Sequence, residues 1–471
     1  MARADLEVVM ARPVQTGRAQ QRTIRVDTFD GATTIEFSTR GARAAFGRLV
    51  RRGGIPADLL QIAANDGAPA AAEWRAAQRR LETAGALAFV VRDGRTILMR
   101  AVPMRAAYHD SWKPVVPRGR LMLSRFAHLR RDGTQWLLES PRSFVRVEVA
   151  PEALPILAQL AKPVTAAALA RRAGMPAGCC RAVVALLQAG GFLTRTTAAG
   201  IAAEDADTSL MQWEFADLLM LAHSRAGRHD RDFGGTFEFA DRMPPEKLLK
   251  RPPRSRPIPL YRPPPRSSRD ESDSFTDVLE QRRTIRTLGE PPITIRALGE
   301  FLYRSARVRS IVAPTDKRPY AWTRRPYPSG GGCYPLELYV VSAACDGLDS
   351  AIYHYDPMRH VLRIVSRDAE AARSLVTAAR AAQLESASGQ VLIVYTARFR
   401  RLTWKYRSIA LSTILKDVGA LMQTMYLVAT AMHLAPSAVG AGDSTRFGEA
   451  TALRFEEESP VGEFLLGNRP D

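Results

Sequence analysis

The sequence predicts an α+β protein in which a mainly antiparallel sheet enclosed by helices follows two winged-helix-like modules. Strand pairs and short helices recur in the same order in the N-terminal half. Apolar strands alternate with helices in the second half, and one long apolar helix lies near the end. The length allows roughly two to four domains, and a hydrophobic content of 46% is ample for their cores.

The first module is predicted over residues 1–108. The segments TIRVDTF and TTIEFST flank Asp30-Gly31, which is typical of a β-hairpin. A helical region extends from 42 to 85. The segment AFVVRDGRTILMRAV then predicts a second hairpin, which turns at Asp93-Gly94.

The second module is predicted over residues 120–200, with a hairpin at Asp132-Gly133 and a strand in SFVRVEV. Three helices and a final strand after LLQAGGFL complete the order of a winged helix. We expect Gly190-Gly191 to end the last helix in the left-handed conformation.

A winged helix can bind DNA or take up a peptide as an added strand. The net charge of +19 suggests an acidic partner, and nucleic acid, an anionic membrane and an acidic peptide all fit it. The candidate recognition helix, around 180–189, carries a single charge, whereas DNA reading needs several polar or cationic groups. Peptide recognition by at least one module is therefore favoured over nucleic-acid binding.

Residues 201–270 are predicted to connect the two halves through a helix and a segment rich in proline and arginine. We expect 244–266 to be extended, either held by the following domain or trailing over it. His223, Arg225, His229 and Asp230 lie before it. They fit a capped helix end better than a catalytic His–Asp pair, and their role stays open.

The second domain is predicted over residues 271–471. Its first helix begins at Ser274, and an arginine-rich cluster near its end suits a phosphate: Arg282, Arg283, Thr284 and Arg286. A glycine loop at 328–332 leads into a strand and could approach a flat or anionic ligand, although a plain loop has the same pattern. It is neither a Rossmann nor a P-loop motif, because no helix follows it.

A hairpin about Asp356-Pro357, a helix and the strand VLIVYTARF precede the long apolar stretch 403–436. We expect Pro436 to end this helix. Its apolar residues recur at three- and four-residue spacing, which predicts a core or dimer-interface helix: Leu411, Leu415, Val418, Met422, Met425, Ala429 and Met432.

Polar residues interrupt the uncharged run 418–442, so a buried helix is favoured over a membrane span. The N-terminus lacks an apolar signal region, which makes the cytoplasm the expected location. The four cysteines form no CxxC pair and lie near no histidine at zinc-ligand spacing, so we expect neither a metal site nor disulfides.

The second half resembles the nitroreductase-fold flavoproteins, and within them the SagB-type peptide dehydrogenases, or azoline oxidases, of thiazole and oxazole peptide biosynthesis. The shared motifs are Arg282-Arg283-Thr284-x-Arg286, Pro328-Ser329-Gly330-Gly331, Lys405-Tyr406, Lys416-Asp417-Val418-Gly419 and the stretch VGEFLLG at 461–467. One departure is Ala420, where many relatives carry histidine. The N-terminal modules resemble, more loosely, the winged-helix elements that bind leader peptides in these pathways.

The resemblance implies a homodimer with FMN at the subunit interface. Arg282, Arg283, Thr284, Arg286 and Arg469 would hold its phosphate and ribityl chain. Pro328, Ser329, Gly330 and Gly331 would line the ring from the other subunit, and Gly440 and Gly442 would approach the reactive nitrogen. Lys405 and Tyr406 match the catalytic pair. The implied partners are a precursor peptide and a possible cyclodehydratase complex.

The implied reaction removes a hydride and a proton from adjacent carbons of a thiazoline or oxazoline. Lys405 can take the proton only if its pKa is lowered, and we expect Arg401 and Arg407 to lower it. Two alternatives remain: an NAD(P)H-dependent nitro- or quinone reductase, and a DNA-binding regulator with a degenerate flavin domain.

Overall fold

The computed structural model describes residues 6–12, 14, 23–28, 31–105, 108, 112–197, 199–264, 274–383 and 389–470. The chain divides into two compact units, Met1–Arg231 and Asp232–Asp471. Residues 232–264, which we assigned to a connecting segment ending at 270, therefore belong to the second unit.

The first unit contains ten strands and eight helices among its described residues. The strands are β1 (Glu7–Met10), β2 (Thr23–Thr28), β3 (Gly31–Glu36), β4 (Leu87–Asp93), β5 (Thr96–Pro103), β6 (Leu121–Leu123), β7 (His128–Asp132), β8 (Gln135–Glu139), β9 (Val145–Val149) and β10 (Leu193–Arg195). The helices are α1 (Arg40–Arg52), α2 (Pro56–Ala64), α3 (Ala68–Thr83), α4 (Leu154–Gln159), α5 (Ala166–Ala173), α6 (Ala177–Ala189), α7 (Ala203–Ala206) and α8 (Phe215–His223).

Strands from both predicted modules join one antiparallel sheet in the order β1-β4-β5-β9-β8-β7. The β5–β9 pairing links the modules, and one large hydrophobic core extends from Leu6 to Leu193. The hairpins at Asp93-Gly94 and Asp132-Gly133 are confirmed. β2 pairs with β3 as expected, although Asp30 lies outside the described residues. The division into modules at residues 1–108 and 120–200 remains a prediction.

The last helix of the second module ends differently from the expectation. Gly190 is right-handed, with φ of −76°, and Gly191 alone is left-handed, with φ of +75°. One left-handed residue is enough to reverse the chain into β10. Along α6, Cys180 and the apolar residues 183–187 are buried, so little of this helix could face a DNA groove.

The second unit contains eleven strands and six helices among its described residues. The strands are β11 (Gly234–Gly235), β12 (Ile258–Pro259), β13 (Ser310–Val312), β14 (Trp322–Arg324), β15 (Leu336–Ser342), β16 (Ala351–Asp356), β17 (Val361–Ser366), β18 (Val391–Arg398), β19 (Tyr406–Arg407), β20 (Leu434–Val439) and β21 (Glu458–Asn468). The helices are α9 (Phe275–Gln281), α10 (Ile295–Ala306), α11 (Ala369–Ala381), α12 (Arg400–Thr403), α13 (Ala410–Ala431) and α14 (Ser444–Thr451).

An antiparallel sheet in the order β12-β17-β16-β15-β18-β21-β20 forms the centre of this unit. One core lies between the sheet and the helices α10 and α13, and a second between the sheet and the helices α11 and α14. The predicted α+β class, with helices around an antiparallel sheet, is confirmed.

The long helix is shorter than expected, because it ends at Ala431 and Pro436 lies within β20. His433 turns the chain with φ of +52°. Pro436 is tolerated because β20 is an edge strand, where an amide donor is dispensable. Along α13, Ile414 and Leu421 are fully buried, whereas Leu411 and Leu415 are 47% and 42% exposed. Among the described residues, no helix is long and apolar enough to cross a membrane.

Candidate functional site

A segment that we call the strap, residues 232–250, runs beside residues 398–408, which include Lys405 and Tyr406. Its Gly235 pairs with Tyr406 in the short β11–β19 ladder, and the amide of Phe237 donates to the carbonyl of Lys405 at 3.1 Å. The indole Nε1 of Trp404 donates to the carbonyl of Met243 at 2.8 Å. The backbone around the two candidate catalytic residues is thus held by a segment far upstream.

Arginines fix the rest of the strap by donating to its backbone carbonyls. Arg400 donates to Pro244 at 2.9 Å, and Arg398 donates to Lys247 at 2.8 Å. Arg401 is 6% exposed and bridges two segments: Nη1 donates to Glu246 O at 2.8 Å, and Nη2 to Cys333 O at 2.6 Å. The proline-rich segment is therefore held by the second unit rather than trailing over it.

The side chain of Lys405 lies among three aromatic rings. Its Nζ is 4.6, 4.8 and 5.9 Å from the ring centres of Tyr406, Tyr320 and Phe237. The same nitrogen lies 2.5 Å from the Tyr320 hydroxyl, which in turn donates to the carbonyl of Gly331 at 2.9 Å. Ring faces and a hydroxyl acceptor favour the ammonium form.

Accordingly, the expectation of a lowered pKa for Lys405 is wrong. Burial opposes the charged form, but hydrogen bonds to Tyr320 and Tyr406 outweigh it and raise the pKa of Lys405 above its ordinary value. The cations that we expected to act on it are engaged elsewhere. Arg401 donates to backbone carbonyls, and Arg407 pairs with Glu238 at 2.8 Å. At neutral pH, Lys405 is therefore an ammonium ion that can donate hydrogen bonds.

The glycine loop meets the Lys405–Tyr406 pair at Gly331. This residue has φ of +62°, and a Cβ there would lie 2.3 Å from the Tyr406 hydroxyl and 2.6 Å from the Lys405 nitrogen. Asp417 of α13 holds the loop by accepting from Ser329 Oγ at 2.6 Å and from the amide of Gly330 at 2.9 Å. The structure therefore brings together three predicted elements: the loop after Pro328, the Lys-Tyr pair and the long helix.

The arginine cluster follows α9 and lies along the open edge of the sheet. The guanidinium of Arg282 lies 5.4 Å from the ring centre of Tyr426. Thr284 Oγ1 is 2.9 Å from the hydroxyl of the same tyrosine, which accepts from the amide of Ala438 at 2.8 Å. Arg283 and Arg286 are exposed, and neither side chain has an acidic partner among the described residues.

The end of β21 lies beside this cluster. The amide of Ile285 donates to Pro436 O at 2.9 Å, and the amide of Gly289 donates to Asn468 O at 2.8 Å. A Cβ at Gly289 would lie 2.3 Å from the carbonyl of Arg469, whose side chain is exposed. Arg469 is thus brought to the chain segment that carries the other arginines.

Gly440 and Gly442 follow β20 directly. A Cβ at Gly440 would meet no atom within 4 Å, whereas one at Gly442 would lie 2.2 Å from the carboxylate of Glu463. Glu463 is only 4% exposed. Burial, reinforced by the nearby Asp443, raises the pKa of Glu463 to about 7.

Sequence reasoning gave no role to four of these residues: Asp417 and Glu463, which lie within two of the family motifs, and Tyr320 and Phe237. Asp417 and Glu463 each leave a signal, since an acid inside an apolar helix or strand needs a reason. Tyr320 and Phe237 leave none, because they reach Lys405 from 85 and 168 positions upstream. In the histidine segment, Asp230 pairs with Arg146, and His229 Nε2 lies 3.0 Å from His223 O.

Comparison with known proteins gives separate matches for segments of the two compact units. Residues 279–467 match the profile of the nitroreductase family, and residues 121–230 match that of the cyanobactin oxidase ThcOx. A protein of Methanocaldococcus jannaschii named as a nitroreductase is 32% identical over 172 residues, which cover 36% of this chain and 80% of that protein. The resemblance drawn from the motifs is confirmed by these matches.

Solved structures also match, among them the following two. A protein of Ralstonia eutropha named as a nitroreductase is 21% identical, covers 49% of this chain and 98% of its own, and has a TM-score of 0.36. A chain of the E. coli microcin synthetase McbBCD complex, with truncated pro-MccB17 bound, is 20% identical, covers 51% and 89%, and has a TM-score of 0.35. With TM-scores below 0.5, neither likeness extends to function.

Replacing Gly331 with alanine should destabilise the fold around the Lys-Tyr pair. The new Cβ would collide with Tyr406 and Lys405, and alanine would have to keep the positive φ of the glycine. We therefore expect the free energy of unfolding to fall by about 1–3 kcal/mol. Chemical denaturation measures this. Gly448→Ala is the matched control, because its Cβ would meet nothing closer than 3.6 Å in a helix. Equal stability of both variants would contradict the close approach at Gly331.

Proposed function

Because the chain belongs to the nitroreductase family, we propose that this oxidoreductase uses FMN to oxidise thiazoline or oxazoline rings of a ribosomal peptide to azoles. The observation that supports this most directly is the contact of Lys405 and Tyr406 with the glycine loop. A paired amine and phenol in a cleft suit a reaction that moves a proton as well as a hydride. The match of residues 121–230 to a cyanobactin oxidase profile supports a peptide substrate.

The arginine cluster fits the phosphate end of FMN. Arg283 and Arg286 are exposed cations without acidic partners among the described residues, and Arg282 is aligned by the ring of Tyr426. Such groups give charge-assisted hydrogen bonds to phosphate oxygens. Arg469 would add a further cation, and Thr284 a hydroxyl. The backbone at Gly330 and Gly331 is bare enough to lie against a flat ring.

We further propose that two subunits share each flavin. Asp417, which holds the glycine loop, and Tyr426, which holds the arginine segment, are nine residues apart on α13, or about 14 Å along its axis. The loop of one chain therefore contacts α13 more than two helical turns away from the contact of its own arginine segment. Apolar side chains exposed on α9 and α13 suit an interface: Phe275, Leu279, Leu411 and Leu415.

The chemistry that bound FMN supplies is the acceptance of a hydride from the azoline carbon. Lys405, as an ammonium ion, would donate a hydrogen bond to the azoline nitrogen or to a neighbouring peptide carbonyl and fix the ring against the glycine loop. Tyr320 and Phe237 keep the ammonium in place. Tyr406 would orient the same group from the other side, since its hydroxyl also lies against Gly331.

A protonated lysine cannot take the second hydrogen, so another group must accept the proton. Glu463 suits this task, because a pKa of about 7 leaves a large share of the carboxylate form at neutral pH. Its contact with Gly442 places it beside the glycines that, by resemblance, approach the reactive part of the flavin. We propose Glu463 as the proton acceptor in place of Lys405.

A nitro- or quinone reductase of the same family is the second candidate, because the family profile itself is named for nitroreductases. The two differ in the electron donor. Azoline oxidation takes electrons from the peptide and needs no NAD(P)H, whereas reduction of a nitro compound consumes it. Azole formation from a preformed azoline peptide without added NAD(P)H separates them.

The protein should purify as a yellow dimer with one FMN per subunit. Replacing Arg282 and Arg286 together with alanine should empty the site, because charge-assisted phosphate contacts are worth about 1.5–3 kcal/mol each. Absorbance at the flavin band, with light scattering for mass, measures both quantities. Arg373→Ala on α11 is the matched control. Full flavin content in the double variant would reject the phosphate assignment.

Lys405→Ala should keep the flavin and the dimer and lose azole formation by about 10²-fold or more, as expected for a lost preorganised charge. Lys405→Arg retains the cation, so we expect it to lose only about tenfold. The assay follows the loss of two mass units from an azoline peptide. If Lys405 were the base, arginine would be as inactive as alanine, since guanidinium does not accept a proton. Wild-type turnover in Lys405→Ala would place the reaction elsewhere.

The rate should rise with pH through about 7 and then level off. Only the carboxylate of Glu463 accepts a proton, and this form is lost as pH falls below its raised pKa. Lys405 stays charged throughout, because its pKa lies above the ordinary value. Glu463→Gln should remove the rise and lower the plateau about 10²-fold. An unchanged pH profile in this variant would exclude Glu463 as the acceptor.

A further inference from the structure

A cavity of about 580 Å³ lies between the strap and the segment that carries Trp404. The strap contributes Phe239, Met243 and Glu246 to its wall. The opposite wall contains Phe399 and Trp404. This volume is within the range of small-ligand sites, which is about 300–1,000 Å³.

Carboxylates and aromatic rings share the lining. Glu456 and Glu457 stand beside Phe399 and Trp404, and Glu246 completes a set of three acids. Glu456 has no ion-pair partner among the described residues, and Glu457 is paired only with the exposed Arg454, at 2.6 Å. Rings with nearby carboxylates attract a cation on an apolar stem.

The one cation in the lining does not neutralise these acids. Arg400 is exposed and donates to the carbonyl of Pro244, which holds it against the strap. Glu246 lies 3.3 Å from Arg398, a residue that also pairs with Glu337 and is not in the cavity wall. The cavity is therefore lined by three carboxylates and one cation, on a chain whose net charge is +19.

We propose that this cavity binds an arginine or lysine side chain of the peptide substrate, at a position flanking the azoline. Trp404 and Glu246 also line a small cleft with Tyr320, Cys333 and Lys405. Trp404, the residue before Lys405, thus lies in the wall of both the cavity and the cleft. A side chain bound in the cavity would therefore lie near the Lys405 ammonium. The position relative to the azoline rests on the proposed function, whereas binding of the cationic side chain does not.

Binding of short peptides tests the site without any turnover. Calorimetry compares N-acetyl-Ala-Arg-Ala amide with the citrulline peptide, which has nearly the same shape and no charge. The purified full-length enzyme should bind the arginine peptide about tenfold more tightly. Combined Glu456→Gln and Glu457→Gln should abolish this difference, and the exposed Glu449→Gln on α14 should preserve it. Equal affinities in the wild type, or a difference that survives in the double variant, would overturn the proposal.

Kinetics then locates the site relative to the reaction. Azoline peptides are compared in pairs, with arginine or citrulline either directly before or directly after the ring. In at least one of these two positions, the arginine and citrulline peptides should differ about tenfold in KM and little in kcat. The double variant should remove this difference. If the arginine peptide binds but no azoline peptide is oxidised, the proposed function fails, whereas the proposed binding of a cationic side chain in the cavity stands. If oxidation occurs with identical KM values throughout, the flanking position is wrong.

Discussion

The geometry around Lys405 depends on the buried guanidinium of Arg401. A charge that is 6% exposed is costly unless it is hydrogen-bonded. Arg401 meets this requirement with the carbonyls of Cys333 and Glu246, which belong to the end of the glycine loop and to the strap. Because the same residue lies four positions before Lys405, one side chain sets the distance between three otherwise independent segments.

This arrangement makes the site composite in sequence and compact in space. Phe237 comes from the strap, Tyr320 and Gly331 from the region before β15, and Lys405 and Tyr406 from the turn before α13. Asp417 of α13 accepts a hydrogen bond from Ser329 and so connects the glycine loop to this helix. Aromatic rings and hydroxyls around the amine of Lys405 stabilise its charged form, and the hydrogen bonds to the hydroxyls outweigh burial and raise its pKa.

Much of this was accessible from the sequence. Turn signals located the hairpins at Asp93 and Asp132, and periodicity located α13, because these are local effects of backbone chemistry. The family motifs identified the loop and the Lys-Tyr pair. The direction of the pKa shift of Lys405 could not be predicted from the sequence. Arginines at 401 and 407 suggest a depressed value, but their partners, which come from distant segments, direct their charge elsewhere. Tyr320 is equally invisible, since only folding brings it to the amine.

The edges of the two main sheets differ in whether their outer strands contain proline. In the second unit, both outer strands contain a proline, Pro259 in β12 and Pro436 in β20. Neither edge can present an unbroken row of amide donors, so growth of this sheet by another backbone is discouraged. The outer strands of the first unit's sheet, β1 and β7, contain none. An extended backbone could therefore add to β7, an outer strand of the first unit's sheet whose row of amides no proline interrupts.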